Sequence, residues 1–183
     1  MKTTLFIFMI APMSLFGQIE SKYGKYNPNA PDELRDFEEL IGTCECKSIQ
    51  RNPKGEWRDT IRLTWQFKYI LNGFAIQDET WKEDSTYTSS IRQYNADSSR
   101  WLVTFFSSLS APRTQPTWIG NRKGNKIVLR MPSKAPNGTD GFSRLTFSEI
   151  SESGFNWIGE WTSVNETVVF PFWKIWCKKI EDG

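Results

Sequence analysis

Polar and apolar residues alternate from Glu56 to Ile70, and this alternation is the clearest structural signal in the sequence. Successive side chains of a β-strand point to opposite faces, so the segment predicts one long strand with an apolar face and a polar face. The odd-numbered positions form the apolar row: Trp57, Asp59, Ile61, Leu63, Trp65, Phe67 and Tyr69. Asp59 is its one polar member. At about 3.3 Å per residue the strand would extend roughly 50 Å, a length that predicts strong coiling, as in a barrel.

Shorter segments with strand-like composition occur along the rest of the chain, separated by turn sequences rich in Gly, Pro, Asn and Asp. Besides 56–70, the predicted strands are 42–51, 74–83, 85–94, 100–107, 118–120, 126–131, 142–151, 155–163 and 167–180. Because this succession contains no second helical pattern, we predict an all-β fold. It is an antiparallel up-and-down barrel of about 8–10 strands, in which sequence neighbours pair and no edge stays open. A β-sandwich is the alternative.

A short helix is predicted before the first strand. Pro31 and Asp32 suit a helix start, and Leu34, Phe37 and Leu40 then recur at a spacing of three residues. This apolar stripe is long enough to dock on one end of a barrel. We expect the helix to plug that end.

The first residues match a secretory signal. Lys2 precedes the apolar run Leu5–Ile10. The run is shorter than the roughly 20 residues that a membrane-spanning helix needs. We therefore expect a signal peptide over 1–17, a lead-in over 18–33 and a barrel domain over 34–183. The protein would be secreted or periplasmic, with no membrane insertion after signal removal; a buried N-terminal helix is the alternative.

Composition and charge narrow the possible functions. The formal net charge is +2 and no long run of like charge occurs, which argues against nucleic acid or an anionic membrane surface as a partner. The sequence contains no histidine, which excludes histidine-based catalysis, histidine-ligated zinc and haem held by a proximal histidine. We expect no cofactor and no metal. The 9 Trp and 13 Phe carry much of the apolar mass, and such rings either fill a barrel or line a cavity inside it.

The three cysteines are Cys44, Cys46 and Cys177. A disulfide is chemically allowed after export. If the first and last strands pair to close the barrel, either Cys44 or Cys46 could bridge to Cys177. Three free thiols are the alternative.

Residues 37–43, Phe-Glu-Glu-Leu-Ile-Gly-Thr, resemble the entry into the first strand of lipocalin-like (calycin-type) barrels of bacterial secreted proteins. That family has a short helix followed by Leu-x-Gly-Thr-Trp, and Cys44 stands here where the tryptophan is usual. Segments 93–97 and 159–161 are also similar. The resemblance covers roughly residues 34–180 and implies a barrel of about eight to ten strands that holds a small apolar molecule. Haem-binding relatives of this barrel use a histidine, which this chain lacks.

The predicted ligand-binding residues are aromatic side chains, because rings stack on flat apolar ligands. They are Trp57, Trp65, Phe67, Trp81, Trp101, Trp157 and Trp161. We expect them to line a cavity for a small hydrophobic molecule. A solid aromatic core, and with it a structural or interaction protein, is the alternative.

Polar pocket residues are predicted at Asp59, Arg92 and Glu160, while Asp78 and Glu79 are further acidic strand positions. A carboxylate on an apolar inner face would have a raised pKa and could act as an acid or base, and Asp59 lies on the apolar row. An arginine could hold the acidic head of a ligand. A second functional hypothesis is therefore an isomerase, lyase or hydrolase that acts on a lipid-like substrate through Asp59 or Glu160.

Overall fold

The computed structural model describes residues 21–180, and within them the chain forms a closed β-barrel. Each strand pairs antiparallel with the next strand in the sequence, and the tenth returns to pair with the first. The predicted all-β, up-and-down barrel is confirmed, and the sandwich is excluded because the sheet has no edge. The predicted signal peptide, 1–17, lies outside the described residues.

The strands are β1 (Gly42–Gln50), β2 (Ile61–Ile70), β3 (Ala75–Lys82), β4 (Tyr87–Asn95), β5 (Arg100–Ser107), β6 (Thr117–Lys123), β7 (Lys126–Lys134), β8 (Asp140–Ser151), β9 (Gly154–Ser163) and β10 (Val169–Lys179). Within residues 21–180 two short 3-10 helices accompany them, Asp32–Leu40 before β1 and Leu71–Gly73 between β2 and β3. Because the strands alternate in direction, the loops after the odd-numbered strands gather at one end of the barrel. We call this end the mouth, and the opposite end, where the first helix lies, the plugged end.

The strand predicted over 56–70 is shorter than its sequence pattern indicates, because β2 begins only at Ile61. The preceding residues form a tight reversal of the chain, in which Arg51 and Trp57 make an isolated β-bridge. The Asn52 side chain accepts a hydrogen bond from the backbone N–H of Glu56, at 3.0 Å. This local bonding competes with the sheet for backbone donors. The alternation that continues through 56–60 is therefore not part of the barrel wall.

The first 3-10 helix closes one end of the barrel, as the apolar stripe predicts. Leu34, Phe37 and Leu40 are fully buried. The Phe37 ring packs edge-on against Trp101, with ring centres 4.9 Å apart. Arg122 at the end of β6 binds the helix from outside, through its ion pair with Glu39. Apolar burial and this charge pair together fix the plug.

A disulfide joins Cys46 to Cys177 across the pair of strands that closes the barrel, β1 and β10. The two residues are direct cross-strand partners and lie 131 positions apart in the sequence. A crosslink over so long a loop restricts the unfolded chain strongly, and such bonds contribute roughly 2–5 kcal/mol. Cys44 is free and buried, and burial raises the pKa of its thiol to about 11.

Candidate functional site

The half of the barrel nearer the mouth contains a cavity of about 240 Å³. This is somewhat below the roughly 300–1,000 Å³ of typical ligand pockets and corresponds to about eight water molecules at liquid density. Most of its wall consists of aromatic rings, from Trp65, Phe105, Trp118, Phe147, Trp157, Phe172 and Trp173. The aliphatic side chains of Val103, Leu129, Leu145 and Ile175 fill the spaces between them. The space thus has a mainly apolar wall and the volume of a small molecule.

A bulge in β10 brings two consecutive rings to the same side of the sheet. The register of β10 against β9 shifts between Pro171 and Trp173, so that Phe172 is the extra residue. Both Phe172 and Trp173 consequently line the cavity. Gly159 on β9 leaves room for the Trp157 and Phe172 rings, because a Cβ atom there would lie 2.9 Å from the first and 3.0 Å from the second.

A small set of hydroxyl groups lies on one side of the cavity. Thr80 on β3 and Thr88 on β4 are cross-strand partners, and their hydroxyls are hydrogen-bonded to each other. Ser90 follows on the same inward row of β4. On the opposite wall, the indole N–H of Trp118 donates to the Ser143 hydroxyl at 3.1 Å. These groups give a ligand a few polar contacts in an otherwise apolar space.

A buried ion pair between Asp78 on β3 and Arg92 on β4 lies at the inner end of the cavity. Each residue is only 2% exposed. Burial raises the pKa of Asp78, and the Arg92 charge opposes that rise. The Trp65 indole N–H also favours the ionised form of Asp78, although it makes no hydrogen bond of normal geometry.

The Arg92 guanidinium is surrounded by rings as well as by its carboxylate partner. Its central carbon lies 5.0 Å from the ring centre of Phe67, 5.2 Å from Phe37 and 5.8 Å from Phe147. These cation–π contacts partly replace the water that the guanidinium loses on folding. The Nε atom of Arg92 has no hydrogen-bond partner in residues 21–180.

Three of the residues predicted for the site line the cavity: Trp65, Trp157 and Arg92. Phe67 and Trp101 are buried in the half of the barrel nearer the plug, and the Trp101 indole N–H donates to Asp36 of the plug at 2.9 Å. These two rings pack below the inner end of the cavity, toward the plug, and do not line it.

Trp161 lies further toward the mouth. It is half-buried, and its ring covers the backbone of Gly141, where a Cβ atom would lie 2.5 Å from the indole. The Trp161 indole N–H has no hydrogen-bond partner within the described chain. This ring is therefore a neighbour of the cavity and not part of its wall.

Two of the predicted tryptophans do not face the interior. Trp57 belongs to the reversal before β2, and Arg51 stacks on its ring at 4.3 Å. Trp81 alternates with the inward residues Thr80 and Lys82 of β3, so it lies on the outer face and is 37% exposed. Of the seven predicted rings, Trp65 and Trp157 line the cavity, so the expectation that all seven do is wrong for the other five.

Neither carboxylate predicted for the pocket lies in it. Asp59 is exposed in the segment before β2, because the strand does not extend that far. Glu160 is on the outer face of β9, where Arg144 donates to it at 2.9 Å. Asp78 is the carboxylate of the cavity instead. The alternation in β3 places Asp78 on one row with Ile76 and Thr80, but only the register of β3 against β4 shows that this row faces the cavity.

The outer wall of the barrel has two wider depressions, with volumes of about 640 and 1,040 Å³. They lie on the convex side of the sheet and are lined largely by charged side chains such as Arg100, Lys126, Arg62 and Glu45. The inner, mostly aromatic cavity is the better candidate for a ligand site, because a small molecule gains most free energy where its apolar surface is removed from water.

Two structural features are absent from residues 21–180. That part of the chain contains no cluster of three or more Cys, Asp or Glu side chains that could hold a metal ion. It also contains no helix of the length and apolarity that a membrane span requires.

Comparison with known proteins supports the fold and leaves the family open. No family model and no curated protein matches this chain. Among solved structures, the chain is similar to that of Rv2717c from M. tuberculosis, with a TM-score of 0.56 and 9% identity over 84% of this chain and 100% of that one. A protein of unknown function of the DUF3598 family from Nostoc punctiforme aligns over 82% of this chain and 100% of its own, but with a TM-score of 0.26 and 6% identity. The first similarity shows a shared barrel architecture; the second is too low to carry an argument.

Proposed function

We propose that this protein binds a small, largely apolar molecule inside the barrel and acts outside the cytoplasm. The single observation that carries the proposal is the aromatic cavity of about 240 Å³ with a few polar groups on its wall. A barrel that served only as a structural element would gain stability by filling this space, because empty apolar volume is costly. The bulge in β10 and the glycine opposite it maintain the space and shape it.

The enzymatic alternative gains no support from the site. Asp59 and Glu160, the two carboxylates considered for it, do not reach the cavity. Asp78 does reach it, but its carboxylate is already paired with Arg92. A general base needs a free carboxylate within hydrogen-bond reach of the substrate. Binding without chemistry is the simpler function of this arrangement.

The proposed location rests on the predicted signal over 1–17 and on the disulfide between Cys46 and Cys177. Disulfides persist in oxidising compartments and are rare in the cytosol. The intact mass of protein recovered from its host tests this proposal. A mass that lacks the first 17 residues supports export, whereas a full-length chain with three free thiols contradicts it.

Binding can be tested by isothermal titration calorimetry with two neutral probes, indole and 3-phenylpropan-1-ol. The variant Leu145→Trp places an indole in the cavity, since Leu145 lines it. The matched control is Ile119→Trp on the outer face, where Ile119 is 48% exposed. We expect wild type and control to bind at least one probe with equal affinity, and Leu145→Trp to lose about 10-fold or more. Equal binding by all three proteins, or by none of them while they are folded, would contradict the proposal.

A further inference from the structure

A lysine, Lys82, lies beside the cavity but is not among the residues that line it. Lys82 ends β3 and belongs to the same inward row as Asp78 and Thr80. Its Nζ atom lies 4.5 Å from the ring centre of Trp173 on β10, which lines the cavity. Strands β2 and β1 separate β3 from β10, so the Lys82 side chain reaches this ring across the inner side of the wall.

Lys82 carries a charge that no carboxylate of the described chain neutralises in an ion pair. The side chain is half-buried, and this loss of water lowers its pKa, while the negative charge of Asp84 acts in the opposite direction. The acidic residues of the following turn are engaged elsewhere. Asp84 accepts a hydrogen bond from the Thr86 backbone N–H at 3.0 Å, and Glu83 accepts one from the Arg62 backbone N–H at 3.0 Å.

The inner end of the cavity has the opposite character. Arg92 is the cation there, and Asp78 neutralises it within the protein. An anionic ligand group placed at that end would meet the Asp78 carboxylate at short range in a poorly solvated space, which is unfavourable. A cationic group would meet Arg92 at one end or Lys82 at the other. The two charges at the inner end of the cavity thus neutralise each other, and the middle is apolar. Beside the cavity, toward the mouth, lies Lys82, a positive charge without an ion-pair partner in residues 21–180.

We infer that the ligand is a small amphipathic monoanion, with its carboxylate at Lys82 and its apolar body among the aromatic rings. This inference rests on the proposed function and defines the chemical class and the orientation of the ligand. A carboxylate at the mouth would supply the charge-assisted hydrogen bond that Lys82 lacks within residues 21–180. The rings would bury the rest of the molecule.

Three probes with one carbon skeleton test the inference: 3-phenylpropanoate, 3-phenylpropan-1-ol and 3-phenylpropylamine. They share the ring and the chain and differ in the charge of the head group. Calorimetric titration at neutral pH and moderate salt should give the tightest binding for the acid, about 10-fold weaker binding for the alcohol, and the weakest for the amine.

Variants of Lys82 identify the group responsible. Lys82→Met keeps the length of the side chain and removes the charge, so it should weaken binding of the acid about 10-fold and leave binding of the alcohol unchanged. Lys82→Arg should restore binding of the acid in large part. The matched control is Lys54→Met, because Lys54 is exposed in the loop after β1, at the same end of the barrel. Thermal unfolding of each variant verifies that it is folded.

The possible outcomes separate this inference from the proposed function. If acid and alcohol bind equally well and Lys82→Met changes neither, the orientation by Lys82 is wrong while the apolar binding site stands. If Lys54→Met weakens binding of the acid as much as Lys82→Met does, only the general positive field attracts the ligand, and the specific contact is wrong. If the folded wild-type protein binds none of the three probes, both the inference and the proposed function are contradicted for molecules of this class.

Discussion

The carboxylate of Asp78 and the guanidinium of Arg92 form an ion pair between neighbouring strands, and both side chains are almost completely removed from solvent. Taking two charges out of water costs several kcal/mol per ion, which their mutual attraction offsets only when the pair stays intact. The pair therefore makes the inner end of the cavity sensitive to substitution of either partner.

The first prediction concerns this pair. Arg92→Met should lower the free energy of unfolding by about 3–5 kcal/mol, because it leaves Asp78 buried without its cation. The double variant Asp78→Asn with Arg92→Met should recover a large part of that loss. Urea unfolding followed by tryptophan fluorescence measures both. The control is Lys134→Met, which breaks the exposed pair with Asp140 and should cost less than about 1 kcal/mol. A double variant no more stable than Arg92→Met would show that loss of the buried charge partner is not what destabilises Arg92→Met.

A second prediction concerns the plug at acidic pH. The hydrogen bond from Arg122 holds the pKa of Glu39 below its ordinary value of 4.5. A carboxyl whose pKa is lowered by folding stabilises the protein above its unfolded pKa, and the gain disappears as pH falls through the folded pKa. Because Glu39 is 33% exposed at its side chain, the contribution is at most about 1 kcal/mol.

Glu39→Gln tests this directly. The variant should be less stable than wild type near neutral pH, and the two should converge as the pH falls below 4.5 and through the lowered pKa of Glu39. Thermal unfolding at a series of pH values measures the difference. Glu45→Gln, an exposed position of β1 without an ion pair in the described chain, is the control and should change little. A constant difference between Glu39→Gln and wild type at every pH would show that the ionisation of Glu39 is not involved.

The cysteines give a third prediction, which mass spectrometry after iodoacetamide treatment can test. The folded protein should take up no label, because Cys46 and Cys177 are joined and the remaining thiol, Cys44, is buried with its pKa raised to about 11. Unfolding without a reductant should allow one label, and unfolding with a reductant should allow three. Label on the folded chain, or two or more labels without a reductant, would contradict the arrangement.

Gly159 is the subject of a fourth prediction. Its substitution by valine should lower the free energy of unfolding by about 1–3 kcal/mol, because the new atoms press on the Trp157 and Phe172 rings. The same displacement should weaken the binding of neutral probes to the cavity. Urea unfolding and calorimetry measure the two effects. Ser153→Val, at the exposed turn before β9, is the control. An unchanged affinity in a folded Gly159→Val protein would mean that the bulge does not shape the site.

The barrel could be predicted from the sequence because its signal is repeated many times. Alternation between apolar and polar positions recurs in strand after strand, and short turns between strands require sequence neighbours to pair. The plug could be predicted equally well, since Leu34, Phe37 and Leu40 lie on one face of a short helix. These features depend on local periodicity, which a single sequence contains.

The site was harder to predict, because it depends on where each strand begins and on the bulge in β10. Asp59 lies on the apolar row only if the strand continues through it, and the bonding around Asn52 ends that continuity. Phe172 faces the cavity because of a bulge, and no periodic pattern predicts one. Asp78 and Asp59 differ in sequence context too little for the buried one to be recognised without the register of β3 against β4.

Native mass spectrometry of the protein purified from its own host is the most direct test of the central claim, that the aromatic cavity holds a small amphipathic molecule. We expect a wild-type population that carries one small retained compound, and the loss of that population in Leu145→Trp but not in Ile119→Trp. A wild-type protein that is folded, carries no compound and binds neither 3-phenylpropanoate nor its alcohol would contradict the claim.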